Sequence, residues 1–299
     1  MYELVNANKK IKELAEEEYL EIKKVKEFII FYLQFEELYE LVTINFSDFW
    51  NYIFEICERQ RLYLITDHDE LVDPILISNQ KLLNILSSFK TYKDHLMHSL
   101  SYNFGKESEI FDNCIIVFSN IYDSNLSYRF MDRLRNYIQH FGLPINQITY
   151  SYNYVKEDPL EIAYTIPLNI DRDEVLNFDG WSSVKEDIKQ FDKYFDIKPF
   201  VSGYYNNINA IHSRIRKILK KDYDNSKLVL NDLLIDNLSE DERNHFFNLM
   251  TPSMFVCHIE DNEIEEKKYL PYQSIERIDK LMRRNACLQK EGISYSIVK

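Results

Sequence analysis

The first 142 residues contain almost none of the residue types that interrupt helices. Their one proline is Pro74, and their two glycines are Gly105 and Gly142. Apolar residues recur there at steps of three and four, with Lys and Glu between them, as in the run Ile11, Leu14, Ile22, Val25, Ile29 and Leu33. Such steps place side chains on one face of a helix. The pattern predicts that residues 1 to about 142 are helical.

Polar residues indicate where this stretch divides. Ser47 is a residue type that caps helix N-termini, and we predict that a second helix follows it. The segment TDHDE at 66–70 predicts a loop or a short turn. A third helix is predicted to start near Ser78.

Two shorter helices are predicted before residue 145. One covers 110–120, although the apolar run at 114–118 also fits a strand. The other runs from about Ser127 to Phe141. Gly142 offers a left-handed helix end and Pro144 prevents the helix from continuing.

Beyond this point the spacing of apolar residues changes from about 3.6 to about 2 residues. Alternation at 148–154 and at 160–168, around turn-forming residues at 156–159, predicts a β-hairpin. We place a domain boundary where the spacing changes. The prediction is a helical domain over 1–145 and an α+β region over 146–299.

The α+β region contains further helices and a second hairpin. Residues 171–250 return to helical spacing, with breaks near Asp179-Gly180, Pro199 and Ser239. The second hairpin is predicted from strands at 254–259 and 264–270 around Asp261-Asn262, and a last helix from Ser274 to Cys287.

Composition limits the class of protein. Asp and Glu outnumber Lys and Arg by 49 to 36, which gives a net charge of −13. A chain this acidic is not a protein that binds double-stranded nucleic acid along its length, because such binding needs a broad basic surface. A localised basic patch is still compatible with this composition.

The four cysteines form no CxxC pair, so we expect reduced thiols and no structural zinc. No apolar run approaches the ~20 residues of a membrane span and no segment resembles a signal peptide, so we expect a cytoplasmic protein.

One predicted helix, Arg129–Phe141, carries polar residues on one face and apolar residues on the other. At 100° per residue its polar side carries the residues Arg129, Asp132, Arg133, Arg135, Asn136, Gln139 and His140. Guanidinium groups suit phosphate because they present forked donors and stay charged. Histidine is the side chain best suited to moving a proton near neutral pH. Together they can cleave RNA without a metal or a cofactor, through attack of the neighbouring 2′-OH on phosphorus.

The segment RNYIQH at 135–140 resembles the R-N-x-x-x-H signature of HEPN-domain ribonucleases, which are helical proteins of toxin–antitoxin, abortive-infection and CRISPR-associated defence systems. Residues 84–95 also resemble the upstream helix of this superfamily. The resemblance implies a HEPN-like helical bundle in a mainly α protein, with small β-hairpins in the α+β region. It implies that Arg135 contacts the scissile phosphate, that His140 is the acid or base and that Asn136 orients them. It further implies a homodimer, an RNA substrate and an antitoxin or defence partner protein.

Other residues are candidates for supporting roles. Arg129, Arg133 and a basic run that includes Arg214, Arg216 and Lys217 are candidates for RNA binding. Asp94 and His95 are possible accessory proton-handling groups, and His95 with His98 also has the spacing of a metal pair. Some HEPN toxins carry a nucleotidylated Tyr two residues after the His, whereas this chain has Gly142 there.

A pattern of Arg, four to six residues and then His does not by itself identify the site, since Arg61–His68 and Arg133–His140 fit it as well as Arg135–His140 does. Arg135 differs from these in being followed by a polar residue, Asn136. Two alternatives therefore stay open. The helix is either an ordinary amphipathic surface helix, or part of a catalytically inactive HEPN-like module that binds a protein, RNA or nucleotide.

Overall fold

The computed structural model describes residues 2–6, 9–63, 68–155, 158–240, 254–260 and 263–285. The protein is mainly helical, with small antiparallel sheets, as predicted. The helices are α1 (Glu16–Tyr63), α2 (His68–Phe104), α3 (Glu109–Ser124), α4 (Leu126–His140), α5 (Arg172–Val175), α6 (Lys185–Ile188), α7 (Lys198–Asn237) and α8 (Tyr272–Asn285). The strands are β1 (Tyr2–Asn6), β2 (Lys9–Leu14), β3 (Ile145–Ile148), β4 (Ser151–Val155), β5 (Asp158–Thr165), β6 (Leu168–Asp171), β7 (Tyr194–Asp196), β8 (Met254–Glu260) and β9 (Glu263–Tyr269).

The N-terminal residues form strands, so the helical prediction is wrong there. β1 pairs antiparallel with β2 on one side and with β8 on the other. Leu4 and Val5 of β1 are buried, and Ile11 and Leu14 belong to β2. Because β8 lies near the other end of the chain, the spacing of neighbouring residues cannot reveal this pairing.

The starts predicted for the second and third helices are also wrong. α1 continues through Ser47, which lies exposed inside the helix. Phe46 and Phe49 on either side are buried, and this packing stabilises the helix across the serine. α2 already begins at His68, well before Ser78, and it includes the second half of the predicted loop. Residues 66 and 67 of that loop lie outside the described residues.

The two short helices before residue 145 are confirmed. The segment 114–118 is helical, which excludes the strand alternative. α4 ends at His140, where the N–H groups of Phe141 and Gly142 both donate to the carbonyl oxygen of Tyr137, at 2.8 and 3.2 Å. Gly142 does not have a positive φ, so the predicted left-handed end is wrong. A left-handed glycine, Gly105 with φ of 84°, follows α2 instead.

Both predicted hairpins are present. β4 pairs antiparallel with β5, and β8 pairs antiparallel with β9. Ile148 and Leu168, predicted as the ends of the first hairpin, belong instead to β3 and β6. These two strands form a separate sheet with β7, in the order β3-β6-β7. Of the predicted turn residues, 156–157 and 261–262 lie outside the described residues, whereas 158–159 belong to β5, so the turn prediction is wrong there.

The segment from 171 to 240 is less uniformly helical than predicted. Two short helices, a 3₁₀ turn at Asp179–Val184 and strand β7 precede α7. Pro199, predicted as a break, is the second residue of α7, where a missing N–H breaks no helical hydrogen bond. α7 ends at Asn237, next to the predicted break at Ser239. α8 matches the predicted last helix, of which Cys287 lies outside the described residues.

The chain forms two compact units, and neither is one continuous segment. The first contains Met1–Glu37, Leu96–Phe111 and Arg216–Ala286. It includes a four-stranded sheet of order β2-β1-β8-β9 and helix α8, on which Ile278 and Leu281 are buried. The second contains Leu38–His95 and Asp112–Ile215. The predicted division at residue 145 stays a prediction.

The core of the second unit determines the orientation of α4. The buried side of this helix carries Tyr128, Phe130, Met131, Leu134 and Tyr137. The Phe130 ring stacks on Trp181 with centroids 5.6 Å apart and lies 4.8 Å from the ring of Phe200. Tyr137 also stacks on Trp181, at 5.9 Å. These aromatic contacts fix the rotation of α4 about its own axis. The polar side of the helix therefore points in a defined direction.

A glycine permits close approach of α7 to α4. A Cβ atom placed on Gly203 would lie 2.6 Å from the Oγ atom and 2.9 Å from the Cβ atom of Ser127. Rotation of the serine hydroxyl relieves the first contact but not the second.

We therefore expect Gly203→Ala to destabilise the protein by about 1 to 2 kcal/mol, because overpacking outweighs the helix propensity that alanine adds. Urea denaturation of the parent, Gly203→Ala and the double variant Gly203→Ala/Ser127→Gly measures the effect. The double variant should regain most of the loss. Equal stability of parent and single variant would contradict the close packing.

Candidate functional site

The candidate site is the side of α4 that faces away from the aromatic core. The predicted separation of faces is present: the buried residues of α4 are all aromatic or apolar, and its Arg, Asp, Asn, Gln and His residues are partly or fully exposed. This side ends at His140, the last residue of the helix.

Arg129, at the start of this side, is occupied by structural contacts. Its Nη1 atom donates to the carbonyl oxygens of Tyr122 at 3.2 Å and Asp123 at 2.7 Å. These carbonyls belong to the last turn of α3, where no further helical N–H reaches them. Its Nη2 atom also lies 3.7 Å from a carboxylate oxygen of Asp187. Arg129 therefore joins α4 to α3 and α6, and its role in RNA binding stays a prediction.

Arg133 is less heavily engaged. Its Nη2 atom lies 3.4 Å from the hydroxyl oxygen of Tyr122, which is a long hydrogen bond. Its Nε atom is buried and has no hydrogen-bond partner among the residues that the structure describes. At least one donor of this side chain is therefore unsatisfied within the described structure.

Arg135 has the same property in a different environment. Its Nε atom is buried and without a hydrogen-bond partner in the described part of the chain. Its positive charge lies close enough to Tyr204 to lower the pKa of that hydroxyl slightly, against the much larger increase that burial causes. Burial likewise raises the pKa of Tyr128, and the Asp132 carboxylate adds to the increase. Both tyrosines stay protonated near neutral pH, so they are excluded as bases there.

Asn136 and His140 complete the polar side. Asn136 is half-buried and His140 is exposed at the C-terminal end of α4. Arg135 and His140 are five residues apart, which places them about 140° apart around one helix. No hydrogen bond links the three predicted catalytic residues to one another within the described structure. One copy of α4 thus presents Arg135 and His140 in different directions, with Asn136 between them.

The other candidate residues lie elsewhere. Asp94 and His95 are exposed on α2, where Asp94 accepts a hydrogen bond from Lys90. Arg214 and Lys217 are exposed on α7. Arg216 differs from these, because it is buried within the first unit.

The Arg216 guanidinium forms a two-pronged ion pair with Glu36. Its Nε atom lies 2.6 Å from one carboxylate oxygen, and Nη2 bonds the other. Arg216 is 9% exposed and Glu36 is fully buried. The Arg216 guanidinium is therefore engaged inside the protein, and we do not propose it as an RNA-binding residue.

No metal centre is evident in the described residues. Among them, no three His, Cys, Asp or Glu side chains come close enough together to hold an ion. His95 and His98 are both exposed on α2, without a third potential ligand of these types in the described residues.

Three residues around α4 were missed by sequence reasoning: Tyr122, Asp187 and Tyr204. Tyr122 of α3 and Asp187 of α6 contact arginines of α4, and Tyr204 of α7 lies close enough to Arg135 to feel its charge. Nothing in the spacing along the chain relates them to α4, so the sequence held no signal that would have identified them.

Comparisons of this chain with protein-family models, with curated proteins and with solved structures return no match. Within the described residues, no helix is both long enough and apolar enough to cross a membrane. Membership of the HEPN superfamily, inferred from RNYIQH, accordingly stays a prediction.

Proposed function

We propose that the protein is a metal-independent endoribonuclease whose site is the polar side of α4. The observation that carries the proposal is that two partly exposed arginines, Arg133 and Arg135, lie on the polar side of the helix that ends in an exposed His140. A phosphodiester supplies oxygen acceptors for the N–H groups of a guanidinium, and imidazole supplies proton transfer beside them. The resemblance of residues 135–140 to the HEPN signature supports the same reading.

The proposed reaction needs only the RNA and the protein side chains. Arg135 binds the non-bridging oxygens of the phosphate and offsets the charge that builds on them. The 2′ oxygen attacks phosphorus as its proton leaves, and the bond from phosphorus to the 5′ oxygen breaks. The 5′ oxygen takes up a proton as it leaves. His140 is the side chain that accepts or donates the proton in these transfers. The products are a 2′,3′-cyclic phosphate and a 5′-OH end.

A second copy of α4 would complete the site. Proton removal at one oxygen and proton delivery at the other are best done by two groups, and one copy of the helix offers one histidine. We therefore propose that the enzyme acts as a homodimer, with one His140 from each copy. A role in bacterial defence or as a toxin, controlled by an antitoxin or a defence partner, is part of the same proposal.

The test is cleavage of a pool of long single-stranded RNAs in excess EDTA. The parent protein should cleave and leave 5′-OH ends, which polynucleotide kinase labels without prior phosphatase treatment. His140→Ala should slow cleavage by about 100-fold or more, because it removes the proton-transferring group. Gln139→Ala, which alters the exposed neighbouring residue, should cleave at the parent rate. Parent-like cleavage by His140→Ala, or a requirement for Mg²⁺, would overturn the proposal.

A second reading, a catalytically inactive module that binds a protein, is favoured by a different observation. Phe141 and Leu143, directly after the helix, are 52% and 48% exposed. Exposed apolar residues beside a polar face are typical of contact surfaces. If growth arrest on expression survives His140→Ala but is lost in Phe141→Ser/Leu143→Ser, binding is the function and catalysis is not.

A further inference from the structure

The first unit contains a cavity that the ribonuclease proposal does not use. It has a volume of about 660 Å³ and is lined by residues of α1, α2, α3 and α7. Small-molecule sites commonly measure about 300 to 1,000 Å³ and often lie between packed helices. The cavity is therefore of a size that holds an organic ligand.

Its apolar lining includes two aromatic rings. Phe28, which is buried, and Phe104 meet edge to face with centroids 6.0 Å apart. Val25 and Val229 also line the cavity. Aromatic faces attract both apolar groups and cations that lie over them.

Two polar groups in the lining have unused bonding capacity. Ser226 is 7% exposed, and its hydroxyl has no hydrogen-bond partner among the described residues. Asn103 donates its Nδ2 atom to the carbonyl oxygen of Ser99 at 2.8 Å, so its Oδ1 atom remains as an acceptor. Both oxygen atoms are therefore open to a hydrogen bond from a ligand in the cavity.

The charged side chains of the cavity favour a cation. Glu21 and Asp222 contribute two carboxylates and Lys24 one ammonium group, and none of the three has an ion-pair partner within the described structure. The cavity thus has an excess of negative charge and of hydrogen-bond acceptors. The net charge of −13 on the whole chain adds to this field. Phosphates and carboxylates are repelled, whereas a ligand with N–H donors and a positive charge is attracted.

We propose that this cavity binds an organic cation with an apolar body, of the aryl-alkylamine class. The apolar body packs against Phe28 and Phe104, and the ammonium group lies toward Glu21 and Asp222. Ser226 and Asn103 accept hydrogen bonds from the ligand. None of the residues that line this site belongs to α4. The proposal therefore does not depend on the ribonuclease proposal, and the two can be tested separately.

Isothermal titration calorimetry of the full chain with two matched probes tests the proposal. Tryptamine has an aromatic body and an ammonium group, and indole-3-propionate has the same body and linker with a carboxylate. Tryptamine should bind at one saturable site, and indole-3-propionate should bind at least about tenfold more weakly, because it meets uncompensated carboxylates. Equal affinity for the two probes, or no saturable binding of tryptamine, would overturn the proposal.

Charge variants locate the site. Glu21→Gln/Asp222→Asn should weaken tryptamine binding about tenfold, and Lys24→Gln should strengthen it about twofold to threefold. Because the three side chains have no ion-pair partner within the described structure, the substitutions should leave the free energy of unfolding nearly unchanged. Glu17→Gln, on α1 but outside the cavity lining, controls for a change of overall charge and should leave binding unchanged. Parent-like binding by the double variant would show that tryptamine binds elsewhere and that the assignment is wrong.

Discussion

Replacing Arg135 by alanine should lower the kcat of RNA cleavage by about 100- to 1,000-fold, which is the usual effect of removing one donor from a reacting oxyanion. Arg133→Ala should mainly raise KM, by about tenfold or less, because a contact to the RNA backbone acts equally in the ground state and the transition state. The structural environments of Arg133 and Arg135 are similar enough for the two variants to be compared directly. Both guanidinium groups lie on α4, both are partly buried and both keep an unpartnered Nε–H group.

The lysine variants separate charge from geometry. Arg135→Lys keeps the positive charge but loses the forked donors that match two phosphate oxygens, so it should remain strongly impaired. Arg133→Lys should recover most of the parent KM. Cleavage assays under initial-rate conditions in EDTA give both constants for all four variants. A result in which the two alanine variants exchange their effects would transfer the phosphate-binding role to Arg133, and parent-like kcat in both would remove arginine from the chemistry.

The elements that the sequence predicted well are those stabilised by neighbouring residues. α4 could be predicted within one or two residues because its apolar and polar residues alternate with a helical period and Pro144 bars its extension. The hairpin of β8 and β9 is likewise a local pairing around a turn. By contrast, β1 is a strand because β8 pairs with it from the far end of the chain. The apolar spacing of residues 2–14 fits a helix as well as a strand, so only the tertiary pairing decides.

The candidate site divides in the same way. The types of residue on the polar side of α4, and the exposure of His140, follow from the sequence. What each arginine does depends on residues distant in the chain. Arg129 is held by backbone carbonyls of α3, and Arg216 by the carboxylate of Glu36, 180 residues before it. A count of basic residues treats these two like Arg133 and Arg135, and the structure separates them by their partners.

Replacing Glu36 by alanine should destabilise the protein by about 3 to 5 kcal/mol, the largest effect on folding that we expect from a single substitution. Glu36 is fully buried on α1, and its two oxygens bond the Nε and Nη2 atoms of Arg216 on α7. Alanine removes the carboxylate but leaves a charged guanidinium in a position that is 9% exposed. Arginine cannot escape this by losing its proton, because its pKa lies far above neutral pH. The loss of its two-pronged partner at a buried position therefore lowers the free energy of unfolding.

The double variant Glu36→Leu/Arg216→Met determines how much of that cost is due to the guanidinium that has lost Glu36. It removes both charges and keeps an apolar volume near that of the original pair, so it should recover most of the loss and can even exceed the parent in stability. Asp224→Ala is the matched control, because it breaks an exposed ion pair with Lys220 on the same helix and should cost about 0.5 kcal/mol or less. Urea denaturation measures the free energy of unfolding for all variants. A loss below about 1 kcal/mol in Glu36→Ala would mean that water reaches the guanidinium and that the ion pair is not a buried one.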